Sequence, residues 1–344
     1  MTMTFPLPTT VPLRGGTTLG WGVIGPGEIA NDFTATLHAN SGQRVVAVGS
    51  RSPERAAAFA ARHGVPTAHD SYEALVADPT VDVVYVASPH PQHLEHALLA
   101  IAAGKHVLVE KPMTTSEADT RRLASAARDA GVFAMEAMWT RYLPGTTVIA
   151  QLLADGELGD VRLAMVDVGW PHEPDPNDRM FDRAQGGGAL LDAGVYAHWF
   201  ARFATGAPVT SSTTGVVSDG GVDLQSVTVS TATGGAQSVA TTSMTAWTPG
   251  LATIAGSRAT VRYTDHFVFP ASFALHHGAD ADRWSEPSGL RGRQGLVWQA
   301  VALADYVAEG RTESPLHGLD ESIGLAASLD AARAAVSEQD TSAP

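Results

Sequence analysis

The chain has 344 residues, with twenty arginines but only two lysines, Lys105 and Lys111. Lys111 stands in Glu110-Lys111-Pro112, directly after the strand-like run HVLV. Further along, Asp192 and Tyr196 are four residues apart, so a helix there carries both on one face. An ammonium, a phenol and a carboxylate suit the handling of a proton at an alcohol oxygen. Moving a hydride to or from a carbinol carbon requires its oxygen to lose or gain a proton in the same event. A phenol with a pKa near ~10 is a poor base at neutral pH unless a cation favours its phenolate, and the same ammonium can polarise the substrate oxygen. On this chemistry Lys111 is the polariser and proton partner, Tyr196 the proton donor or acceptor, and Asp192 the orienter of a hydroxyl. Plainer explanations stand beside these. Lys111 also fits a surface charge, Asp192 a carboxylate favoured by the first-turn helix dipole, and Tyr196 a core aromatic on a stripe with Trp199 and Phe203.

Such chemistry needs a hydride carrier, and the chain offers a place for one. Gly25-Pro26-Gly27-Glu28-Ile29-Ala30 fits G-x-G-x-x-G/A between a strand and a helix. There the glycines permit a tight turn and close approach of a pyrophosphate to the amides of the helix N-terminus. The end of the second strand reports which dinucleotide binds. An NAD enzyme typically places Asp or Glu there for the ribose hydroxyls. This chain has Ser50 and Arg51 at that edge, with Arg55 one turn later. A hydroxyl and two guanidiniums suit a 2′-phosphate, so NADP is expected over NAD, although exposed arginines are also common as solvated surface charges.

These residues must be positioned by elements, and the first 140 residues supply a clear rhythm. Strands are expected at Leu19–Ile24, Arg44–Gly49, near Thr67, at Val81–Ala87, His106–Glu110 and Val132–Met138. Helices fall between them, including one capped by Ser52 with Pro53 and Gly64 at its ends, and one opening with Ser116 and Asp119 at capping-box spacing. Strands separated by 10–15-residue helices build a parallel, doubly wound sheet. After about Tyr142, Val161–Trp170, Val222–Ser230, Gln237–Thr245 and Ala259–Tyr263 alternate apolar and polar residues and are rich in Thr, Ser and Val. They predict a large, mostly antiparallel open sheet, with helices near 188–203, 294–308 and 319–336. The fold class is thus α/β: a Rossmann domain over 19–140 and an α+β substrate and dimerisation domain over 141–344. Residues 1–18, with Pro6, Pro8 and Pro12, read as a loose extension.

Composition removes other classes. The formal charge of −14 disfavours nucleic acid and anionic membrane surfaces. With no cysteine, disulfides, thiolate catalysis and Cys-based zinc sites are excluded. The N-terminal segment lacks the pattern of a signal peptide, so a cytoplasmic setting is expected. His90, His93 and His96 recur every third residue, but no metal is expected from them. Nucleophile-elbow, phosphate-loop and His-Glu-x-x-His motifs are absent.

Five motifs in order carry a resemblance over residues 19 to about 336. They are the glycine turn; Ser88-Pro89-His90-Pro91-Gln92-His93; Gly104 through Pro112; Met135 through Tyr142 (MEAMWTRY); and Gly186 through Tyr196 (GGGALLDAGVY). The chain resembles the Gfo/Idh/MocA family of NAD(P)-dependent oxidoreductases. MEAMWTRY and Gly-Val-Tyr are similar to its dihydrodiol dehydrogenase and NADP-dependent D-xylose dehydrogenase branch. The resemblance implies that Lys111 lies beside the nicotinamide ribose and the substrate oxygen, with Glu110 and Pro112 shaping its turn. It also implies that Ser88, Pro89, His90 and His93 lie along the cofactor, His93 in a structural or nicotinamide-adjacent role. Many members have His where this chain has Tyr196; in the branch with Tyr the phenol is the acid/base. Trp139 and Arg141 leave the sixth strand, fitting either the substrate pocket or hinge packing. The implied substrate is a small sugar, polyol or vicinal diol, and the implied assembly a homodimer through the C-terminal sheet. Two other functions fit the same motifs: a glycosidase acting by transient oxidation and elimination, and a non-catalytic NADP-binding regulator.

Overall fold

The computed structural model describes residues 4–175 and 178–341. Six strands form one parallel sheet in the order β3-β2-β1-β4-β5-β6. They are β1 (Gly20–Ile24), β2 (Arg44–Gly49), β3 (Thr67–His69), β4 (Val83–Val86), β5 (His106–Val109) and β6 (Ala134–Glu136). Helices α1 (Glu28–Asn40), α2 (Pro53–His63), α3 (Tyr72–Val76), α4 (His93–Ala102) and α5 (Glu117–Ala130) make the crossovers. Local chemistry sets their ends. The Ser52 hydroxyl accepts the Arg55 amide with Pro53 at the first helical position, and Gly64 closes α2 in the left-handed region. Ser116 does the same for α5 through the Asp119 amide. All four residues of β4 are buried, as a central parallel strand requires. Phe33 stacks on Tyr85 of β4 with ring centres 4.1 Å apart, and Trp21 of β1 meets Phe33 at a tilt. Strand order reverses between β1 and β4, the switch point where open α/β sheets bind ligands.

The second sheet has eight strands in the order β14-β13-β12-β11-β7-β10-β9-β8. These are β7 (Val161–Gly169), β8 (Pro208–Val217), β9 (Asp223–Ala232), β10 (Gln237–Ser243), β11 (Ala252–Gly256), β12 (Thr260–Tyr263), β13 (Phe273–His277) and β14 (Asp280–Trp284). Every neighbouring pair is antiparallel except β7 and β10. Helices α6 (Pro144–Ala154) and α7 (Val195–Thr205) belong to the same unit. Phe200, Tyr263, Phe267 and Phe273 form its aromatic centre. The α/β class holds, with a Rossmann-like parallel sheet and a large, mostly antiparallel one. The motifs did not reveal α6, β8, β11, β13 or β14.

The chain divides differently from the expected 140/141 boundary. One compact unit comprises residues 10–142 and 290–323; the other comprises 143–289 and 324–341 with residues 4–9. Helix α8 (Val297–Ala308) and the turn before it pack on α1, where Arg293 Nη1 reaches Glu28 at 2.6 Å and Asp32 at 2.7 Å. The Thr312 carbonyl accepts the Ala134 amide, covering the free edge of β6. The last helix, α9 (Leu319–Thr341), contributes Leu319 and Ile323 to the core of the first unit; its Ala332 and Val336 pack with Leu190 in the second. Nor are residues 4–18 a loose extension. Phe5 meets Phe273 edge-on at 5.5 Å, the Leu7 carbonyl accepts Gln151 Nε2, and the Thr9 amide donates to Thr147 Oγ1. Arg14 and Thr17 bond to Ala39 and Gln43. An aromatic anchor and these backbone bonds hold a segment whose prolines suggested only extended chain. Residues 1–3 of it, and 176–177 of the 171–185 loop, lie outside the described residues. Among the described residues no helix is long and apolar enough to cross a membrane.

Candidate active site

The glycine turn has the form a dinucleotide needs. Gly25 adopts φ +87°, and a Cβ there would meet the Ala87 carbonyl oxygen at 2.8 Å, so only glycine fits against the end of β4. Gly27 is the N-cap of α1 and supplies no side-chain cap; a Cβ on it would meet nothing within 4 Å. That space and an uncapped helix N-terminus fit a pyrophosphate. Glu28 and Ile29 open the helix. Arg293 pairs with both Glu28 and Asp32, so its single charge offsets part of the negative charge at this entrance. At the end of β2, Ser50 is buried and its hydroxyl accepts the Ser52 amide, while Arg51 and Arg55 are exposed. No acidic side chain stands at residues 49–53.

The Glu110-Lys111-Pro112 turn follows β5, with a cis bond between Lys111 and Pro112. Glu110 is buried. Its Oε1 accepts the Tyr85 hydroxyl at 2.5 Å, and its Oε2 accepts the Lys111 amide at 3.2 Å. Burial pushes the Glu110 carboxyl up, opposed by the Tyr85 hydrogen bond and the Lys111 charge. His93, at the start of α4, places Nδ1 2.9 Å from the Pro112 carbonyl oxygen and Nε2 2.8 Å from that of Ser88. Burial holds its pKa down at about 4, against the two carbonyls, so the ring is neutral at pH 7 and donates to one of them. His96 reaches the Ser88 hydroxyl through Nδ1 at 2.8 Å. His93 therefore ties the loop after β4, which carries Ser88, Pro89 and His90, to the turn after β5, and His96 holds the Ser88 side chain. Among the described residues no group of three or more His, Asp or Glu is placed to hold a metal.

The second unit carries the other two candidates. Asp192 lies on a π-helical turn, Leu190–Gly194, which runs straight into α7; the sequence suggested a plain helix. Tyr196 is the second residue of α7 and is buried, while Trp199 stacks on Phe203 with centres 5.4 Å apart. Arg179, from the loop whose course the sequence left open, donates through Nη2 to Asp192 Oδ1 at 3.2 Å. Its Nη1 is buried without a partner among the described residues. Asp223 at the start of β9 accepts the Leu190 amide. Gly188, at φ +113°, leaves room for that carboxylate, which a Cβ would strike.

Trp139 and Arg141 lie on a short 3-10 turn that ends the first stretch of the first unit. Trp139 is buried and Arg141 donates to the Leu316 carbonyl at 3.0 Å. The structure thus gathers Gly25, Gly27, Ser88, His93, Glu110 and Lys111 at neighbouring strand ends, and Asp192 with Tyr196 on one short helical stretch. Tyr85, Arg179 and Asp223 escaped the sequence reading, as did Glu136, whose Oε1 accepts the Met113 amide, and His317, whose Nε2 lies 3.0 Å from Glu136 Oε2. Only Glu136, inside MEAMWTRY, lay within a recognised motif.

Residues 19–138 match the oxidoreductase family with an NAD-binding Rossmann fold, and residues 147–262 match the GFO/IDH/MocA C-terminal domain. The trans-1,2-dihydrobenzene-1,2-diol dehydrogenases of Mus musculus and Homo sapiens are each 35% identical, covering 92% of this chain and 97% of theirs. A 3-ketoreductase from Actinomadura kijaniata, solved with NADP and TDP-benzene, is 28% identical with a TM-score of 0.81, covering 95% of this chain and 98% of its own. An aldose-aldose oxidoreductase from Caulobacter crescentus shares the fold at a TM-score of 0.84 and 24% identity, covering 94% and 98%. With both halves matched and relatives similar along nearly the whole length, the chain belongs to the Gfo/Idh/MocA family of oxidoreductases.

Proposed function

We propose that the protein is an NADP-dependent oxidoreductase that moves hydride between nicotinamide C4 and the carbinol or carbonyl carbon of a small sugar, polyol or vicinal diol. The observation that carries this reading is the turn at Lys111, braced by buried Glu110 at the strand ends that also carry the glycine turn. Membership of an oxidoreductase family with diol-dehydrogenase relatives supports it. When bound, the nicotinamide supplies the hydride acceptor or donor. Gly25, Gly27, Glu28 and Ile29 cradle the pyrophosphate, and Ser50, Arg51 and Arg55 take the 2′-phosphate. Ser88, Pro89, His90 and Glu110 line the cofactor, with His93 holding their loop. In oxidation, Tyr196 takes the alcohol proton as the C–H bond breaks, while Lys111 stabilises the phenolate and polarises the substrate oxygen. Asp192, oriented by Arg179, accepts a substrate hydroxyl, and Trp139 and Arg141 shape the pocket. The protein works as a homodimer through the open face of the second sheet. There Met165, Val239 and Val229 lie in register on adjacent strands β7, β10 and β9, with Met165 and Val229 strongly exposed.

The test is a panel of sugars, polyols, diols and dicarbonyls followed at the nicotinamide band with each cofactor, repeated for Tyr196→Phe and Lys111→Ala at saturating NADP. A drop in kcat of about 100-fold or more in both variants is expected, with cofactor still bound. Near-normal turnover in both ends the assignment. Release of nitrophenol from a nitrophenyl glycoside without net reduction would redirect it to glycoside cleavage.

A further inference from the structure

The backbone around Pro112 is held at three atoms. The Lys111 amide is taken by Glu110, the Pro112 carbonyl faces His93, and the Met113 amide donates to Glu136 Oε1 at 2.9 Å. Glu136 is only 2% exposed, and a carboxylate so far from water needs a cation or a full set of donors. Its Oε2 lies 3.0 Å from Nε2 of His317, itself 3% exposed, and Nδ1 of the same ring lies 3.4 Å from Glu321 Oε2. A neutral imidazole has one N–H and can serve one carboxylate; the imidazolium donates to both. Burial pulls the ring's pKa down, yet the hydrogen bonds and charges of Glu136 and Glu321 prevail and raise it. The Ser322 hydroxyl stands 3.1 Å from Nε2, and the Arg141 charge acts on Glu321 from the 3-10 turn.

We propose that His317 is a positioning residue for Lys111: it fixes the Glu136 carboxylate, which in turn fixes the Met113 amide at the exit of the Glu-Lys-Pro turn. This rests on the role proposed for Lys111. The segment around His317 is remote in sequence from the nucleotide-binding motifs, and through one ring it takes part in setting where the ammonium stands. A supporting shell of this kind decides whether a reactive group is held tightly enough to act.

The two-lysine composition makes the test direct. Trace acylation of the folded, substrate-free protein, read by mass spectrometry, gives the ratio of Lys111 to Lys105 labelling. Lys105 is an internal reference, since its Nζ donates to the Asp78 and Val81 carbonyls instead. His317→Leu is expected to change that ratio by about threefold or more and to lower kcat by about tenfold, with NADP affinity retained. Glu136→Gln combined with His317→Leu leaves no charge at either of these two buried positions and keeps an acceptor for the Met113 amide. It is expected to bring both readouts back to within about twofold of wild type. Should His317→Leu fail to fold, His317→Gln serves in its place. An unchanged labelling ratio in the single variant, or a double variant that regains thermal stability without regaining the ratio, overturns the proposal. Full turnover by Lys111→Ala would instead remove the catalytic role of the lysine and leave the labelling result standing, so the two failures are distinct.

Discussion

Asp223 Oδ2 accepts the Leu190 amide at 2.6 Å, so a carboxylate from β9 caps the π-helical turn that carries Asp192. Burial pushes its pKa up to about 6, opposed by the Leu190 amide and the Arg333 charge. The folded state therefore holds this proton more tightly than the unfolded chain does. The resulting stability is fully present below the ordinary aspartate range and is lost as pH rises to about 6. Asp223→Asn does not titrate and keeps an acceptor for Leu190. Its stability relative to wild type should rise by about 2–3 kcal/mol between about pH 4 and pH 7 in urea titrations. A difference that stays flat would show that Asp223 is ionised across the range.

Arg179 pairs with Asp192, and it is 39% exposed against 13% for its partner. Arg179→Met should lower kcat/KM for polyhydroxylated substrates by about tenfold or more, mostly through KM. NADP affinity, measured by nicotinamide fluorescence, should not move. Equal losses in substrate and cofactor binding would point to general loosening of the 171–185 loop.

At the proposed 2′-phosphate site, Arg51→Ala should weaken NADP binding by about tenfold and leave NAD binding nearly unchanged, because only the 2′-phosphate differs between them. Isothermal titration with both dinucleotides reads this directly. A wild-type protein that prefers NAD defeats the NADP assignment outright.

Met165 is 46% exposed and Val229 43%, on strands either side of Val239. Placing a carboxylate there, as in Met165→Glu, should convert the proposed dimer to monomer in light scattering at micromolar concentration, since an unpaired charge would be buried in an apolar contact. A wild-type protein that runs as a monomer removes the dimer proposal.

The nucleotide-binding sheet could be read from sequence because its signals are local. Ser52, Pro53 and Gly64 punctuate one helix, Ser116 opens another, and the VVYV run is buried on both faces. The second sheet hid more. β8, with the sequence PVTSSTTGVV, is an edge strand with most residues exposed or half-exposed, so burial imposes little alternation on it. β13 and β14 are five residues each, too short for a period to declare itself. The reactive candidates were readable because motifs announce them; their supports were not. Asp223 lies 33 residues from Leu190, and His317 lies 181 residues from Glu136. Nothing in a local window links such partners. The π-helical turn likewise differs from an α-turn only in how its backbone closes.

Residues 290–323 complete the nucleotide-binding unit, and this has a consequence for synthesis. As the polypeptide leaves the ribosome, the first 142 residues emerge long before Thr312 can cover Ala134, Tyr306 can lie against Phe133, or Arg293 can reach Glu28 and Asp32. Until then β6 presents an unpaired edge, a surface on which nascent chains associate. A fragment cut at residue 142 should therefore aggregate, and one that carries residues 290–323 on a short linker should be the smallest nucleotide-binding piece to stay dispersed.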